Sequence, residues 1–111
     1  MHLTVGRSIF ITGEIHIIDK DFSGRLVFEK LENDEIIKTG ILNDNIKQGK
    51  FEHKFVNMWS EKYFDGFFSK TSSKTSYRIM IISNNDDMIV FEKTQHATDA
   101  RIYIDIGVVE I

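Results

Sequence analysis

The chain contains no cysteine and no proline. Without cysteine there can be no disulfide framework, thiolate metal site, cysteine nucleophile or cysteine lipid anchor within these 111 residues. Without proline, any sheet edge has to be protected by charge or bulges instead. Charge of one sign is also scarce. Fourteen basic and 17 acidic side chains leave a net charge of −3, with both signs scattered along the chain. That is not the footprint of a protein that neutralises several phosphates, so no nucleic-acid partner is expected. No apolar run approaches the roughly 20 residues of a membrane span. The first residues, Met1 to Arg7, lack the charged start and long apolar centre of a signal peptide. This leaves open a cytosolic protein or a mature exported fragment whose signal was removed.

The helix formers are nearly missing as well: four leucines and two alanines stand against 17 isoleucines. With valine and threonine, 30 residues are β-branched, and 13 more are aromatic. Such side chains lose rotamer freedom in helices and pack well on pleated sheets. The patterning has the matching period of two. Ile102, Ile104 and Ile106 alternate with Tyr103 and Asp105, and Phe51, His53 and Phe55 with Glu52 and Lys54. Strands are expected over 3–11, 13–19, 24–31, 35–42, 50–58, 62–69, 75–83, 87–94 and 100–111, with one short helix around 57–62. The run from Tyr77 to Ile82 becomes apolar on both faces, which suits a central strand. Turn residues fall at 19–24, 32–34, 43–49, 65–66, 83–87 and 94–99. The length fits one domain, 1–111. Strands spaced by about ten residues suggest an all-β sandwich of about 7–9 antiparallel strands, prealbumin-like or Ig-like. A small up-and-down barrel is the alternative. Arg25-Leu26-Val27-Phe28-Glu29-Lys30 echoes Met88-Ile89-Val90-Phe91-Glu92-Lys93. One occurrence each reads as strand similarity by chance and not as an internal repeat.

Several segments carry a family resemblance. They are Ile11-Thr12-Gly13-Glu14-Ile15, Gly24-Arg25-Leu26-Val27-Phe28, Ile36-Ile37-Lys38-Thr39, the hairpin from Asn43 through Gly49-Lys50-Phe51, and the closing Ile104-Asp105-Ile106-Gly107-Val108-Val109-Glu110-Ile111. Together the layout resembles the prealbumin-like domains typified by the carboxypeptidase regulatory-like and transthyretin-like families. The resemblance implies a sandwich of seven to nine strands. It also implies a mostly non-catalytic accessory role: bracing enzymes, binding sugars or proteins, or sitting in envelope complexes of exported bacterial proteins. The transthyretin-like hydroxyisourate hydrolases end in Tyr-Arg-Gly-Ser. This chain ends in Val108-Val109-Glu110-Ile111 and departs from them. The Lys–Asn isopeptide of collagen-adhesin B-type domains has neither its first-strand lysine nor its last-strand asparagine here.

Motifs for chemistry are sparse. Asp19, Asp21, Ser23 and Gly24 match the start of a calcium loop, but its twelfth position holds Lys30 in place of glutamate. A second acidic turn, Asn84-Asn85-Asp86-Asp87, could meet the first, yet the two lack enough clustered carboxylates. Polar turns are the simpler reading, and no metal or other cofactor is expected. His2, His16, His53 and His96 have no short ligand spacing. The hydroxyl-rich stretch from Ser69 to Ser76 reads as a hairpin tip, with no nucleophile elbow or phosphate loop, so no catalytic residues are assigned.

The sharpest feature is aromatic: Trp59, Tyr63, Phe64, Phe67 and Phe68, interrupted by Asp65-Gly66. Five rings in ten residues exceed what one strand buries on one face. Either the strand is buried on both faces, or the cluster is a patch for a protein partner or a sugar ring. The sequence therefore points to a non-enzymatic module with a protein partner in an exported or envelope-associated assembly. A carbohydrate-binding module built on the aromatic platform is the alternative.

Overall fold

The computed structural model describes residues 8–56, 74–96 and 101–111. These form seven strands: β1 Ser8–His16, β2 Gly24–Glu32, β3 Glu35–Asn43, β4 Gly49–Val56, β5 Thr75–Ser83, β6 Ile89–His96 and β7 Arg101–Glu110. No helix occurs among the described residues. The strands make two sheets, in the orders β4-β1-β7 and β3-β2-β5-β6. The sheets pack face to face and do not close on each other, so the fold is an all-β sandwich and the barrel alternative falls. The strand expected over 62–69 and the short helix around 57–62 lie outside the described residues.

The period of two decides what goes inside. Ile9, Ile11 and Ile15 of β1, Leu26 and Phe28 of β2, Tyr77, Ile79 and Ile81 of β5, and Ile102, Ile104, Ile106 and Val109 of β7 form one buried cluster. Each fully buried side chain of this size is worth about 1.5–3 kcal/mol. Phe28 stacks on Tyr77 with ring centroids 5.2 Å apart. β5 lies between β2 and β6 and is buried over most of its length, as its two apolar faces require. Thr75 and Ser76 do not sit at a hairpin tip. Both are buried at the start of β5, where the Thr75 hydroxyl donates to Glu32 Oε2 at 3.0 Å.

Two turns follow from residue choice. Asn33 and Asp34 adopt positive φ (53° and 64°) and join β2 to β3 as a two-residue hairpin. The break expected near Thr12 is absent, and β1 runs unbroken through Gly13. A Cβ at Gly13 would lie 2.4 Å from Ile106 and 2.8 Å from Phe51, so only glycine lets these side chains close over the strand. The irregularity falls on β7. Thr12 faces Asp105 and Glu14 faces Val108, leaving a bulge in which Gly107 takes a φ of 71°. All pairs are antiparallel except β1 with β7, which run parallel. Alternation marks a strand face but not the direction of its neighbour.

Candidate functional site

The aromatic residues Trp59, Tyr63, Phe64, Phe67 and Phe68 lie outside the described residues. The described surface offers three regions of its own: a loop end, a cleft and an apolar edge.

The two acidic turns do become neighbours at the loop end. The Asn84 backbone N–H donates to Ser23 O at 2.8 Å, and the Asn84 side chain reaches Ser23 Oγ and Asp44 O. Three of the carboxylates, however, are turned to other work. Asp19 caps the Asp21 N–H and Asp86 caps the Met88 N–H, as Asx turns do. Asp87 is held by Arg25 at 2.9 Å, which also donates to Asn84 Oδ1 at 3.0 Å. Among the described residues, no three His, Asp or Glu side chains converge as metal ligands would.

The outer face of the three-stranded sheet is a ladder of cross-strand rows. Lys54, Phe10 and Tyr103 form one row, Glu52, Thr12 and Asp105 the next, and Lys50, Glu14 and Val108 the third. In the first row Phe10 and Tyr103 stack at 4.8 Å, with Lys54 Nζ 5.4 Å from the Phe10 ring centre, while Tyr103 stays 61% exposed. The bulge opens a cleft of about 520 Å³ beside them, lined by Glu14, Lys50, Glu52, Asp105 and Gly107 among others. Part of this polarity is committed. Asp105 accepts from Gly107 N–H at 2.9 Å, and Glu14 bonds His16 at 2.8 Å. His53 lies on β4, where its ring meets Phe51 at 5.8 Å, and partial burial lowers its pKa below the ordinary 6.5.

The outer face of the four-stranded sheet differs in kind. Its centre is a polar row in which Glu29 accepts from both Arg78 Nε (2.8 Å) and a terminal nitrogen of the same guanidinium, and also from Thr39. Beside it Val27 and Met80 are buried. On the edge strand β3, Ile36, Ile37 and Ile41 are 52%, 51% and 59% exposed. Across the sheet on the other flank, Met88, Ile89 and Val90 are exposed too. Sequence reading missed this region because both flanks have the composition of buried strands. Nothing in Ile36-Ile37 or Ile89-Val90 says that they lie at a sheet edge.

No protein-family model matches the chain, and no curated protein matches it in sequence.

Proposed function

We propose that the chain is a non-enzymatic interaction module that holds a protein partner along β3 and the adjoining outer face of the four-stranded sheet. The observation that carries this reading is the group of three half-exposed isoleucines on β3. An edge strand with apolar side chains offers a partner both main-chain bonds and hydrophobic contact. The resemblance to prealbumin-like domains supports an accessory role in an exported or envelope-associated assembly. On sequence grounds, Trp59, Tyr63, Phe64, Phe67 and Phe68 belong to the proposal as a second contact.

The test is capture from native cells with the tagged chain, followed by the same capture with Ile36→Ser, Ile37→Ser and Ile41→Ser combined. A partner held by the wild type and lost by the folded triple variant is expected. Equal capture by both removes β3 from the proposal, and loss only with Trp59→Ala moves the contact to the aromatic segment. Fractionation of the same cells should find the protein in the envelope or secreted fraction.

A carbohydrate-binding module is the second reading, favoured by exposed Tyr103 beside a cleft rich in carboxylates. Binding on a glycan array that disappears with Tyr103→Ala would support it. A blank array would remove it.

A further inference from the structure

The two sheets meet along one side through side chains instead of main chain. On β6, the residues that share the inward face with Phe91 are Lys93 and Gln95, paired across β5 with Ile79 and Tyr77. Neither stays inside. Lys93 Nζ donates to the carbonyl of Asp105 at 2.6 Å, and Gln95 Nε2 donates to the carbonyl of Tyr103 at 2.8 Å. Donors two residues apart on β6 meet acceptors two residues apart on β7, in opposite chain directions. This is the spacing of a strand ladder, built from side chains.

The acceptors matter because β7 is an edge. Among the described residues, its main chain pairs with β1 alone. The carbonyls of Tyr103 and Asp105 point away from β1, and the N–H groups of the same residues face the same way, as strand geometry requires. The next exposed donor, Gly107 N–H, is taken by the Asp105 side chain. An edge with free groups at residues 103 and 105 would be self-complementary. Two copies related by a twofold axis at Ile104 would set Tyr103 opposite Asp105 in two hydrogen-bonded pairs. Ile102 would then face Ile106, and no charge would face a like charge.

We propose that Lys93 and Gln95 are guards of the β7 edge, whose bonds keep two copies of this chain from joining into a continuous six-stranded sheet. Each occupies a carbonyl that the second copy would need. The lysine also brings a charge to a seam that strand addition would desolvate.

The test is the full chain carrying Lys93→Met and Gln95→Met, which keeps the stems and removes the donors. Sedimentation over a concentration series should show dimerisation about tenfold or more tighter than wild type. Amide exchange at Tyr103 and Asp105 should slow on association, because their N–H groups become bonded. A folded double variant that sediments as wild type does overturns the proposal. So does association that leaves exchange at Tyr103 and Asp105 unchanged, since another surface would then be responsible. If the double variant fails to fold, Lys93→Met and Gln95→Met are measured singly. Each should then show part of the effect, and wild-type behaviour in both overturns the proposal.

Discussion

The stretches Val27-Phe28-Glu29-Lys30 and Val90-Phe91-Glu92-Lys93 are identical in sequence, and both pair antiparallel with β5. They lie on its two sides, with phenylalanine and lysine turned inward in each. Their environments have little else in common. On β2, Phe28 and Lys30 are completely buried, Val27 nearly so, and Glu29 is locked to Arg78. On β6, Phe91 is half-buried, while Val90, Glu92 and Lys93 are exposed. The difference comes from position. β2 has a strand on each side, whereas β6 is the edge of the described four-stranded sheet. Burial is thus assigned by sheet order, and four identical residues can form a core or a rim.

Unfolding measurements on matched substitutions would break or sharpen this contrast. The largest difference is expected for Phe28→Ala, at about 3–5 kcal/mol, against about 1 kcal/mol for Phe91→Ala, which has less contact to lose. Equal losses would mean that the edge is as well packed as the centre. Glu29→Ala should cost about 3 kcal/mol by leaving the part-buried Arg78 without its carboxylate, whereas Glu92→Ala should stay within about 0.5 kcal/mol. A double-mutant cycle with Arg78→Ala would confirm the coupling. Lys30→Ala should cost about 2 kcal/mol, because the whole side chain is enclosed. Lys93→Ala should cost under about 1 kcal/mol.

The smallest effect is a pH slope from His53, which is neither core nor rim. Burial lowers its pKa below 6.5, so around that pH the unfolded chain binds more protons than the folded one. Stability should fall as pH drops through 6.5 towards the lower folded-state value, and be unaffected by this group above that window. His53→Phe should remove the slope in denaturant midpoints measured across the window.

The fold was legible because its signals are local. Ile102, Ile104 and Ile106 alternate whatever lies beside them, and Asn33-Asp34 makes a tight hairpin without help from distant residues. The turn positions at 19–24, 43–49 and 83–87 agree with the loops found at 17–23, 44–48 and 84–88. What could not be read was the neighbour of each strand. The parallel pairing of β7 with β1 depends on both sheets together, and so does the edge position of β3. The candidate surface therefore stayed hidden: Ile36 and Ile41 have the composition of core residues. The bulge was equally silent, since Gly107 looks like any strand glycine until the register shift between Thr12 and Glu14 is seen beside it.

The parallel pairing has a kinetic side. Thr12 and Asp105, joined across β1 and β7, are separated by 93 residues. The β2–β3 hairpin can close early and locally, but the central strand of the three-stranded sheet must wait for the last strand. During synthesis, Ile9, Ile11 and Ile15 have β4 as a neighbour long before β7 emerges. Until then β1 is a hydrophobic strand with an open flank. The three-stranded sheet is therefore the late-folding half of the molecule, and its exposure ends only when β7 docks.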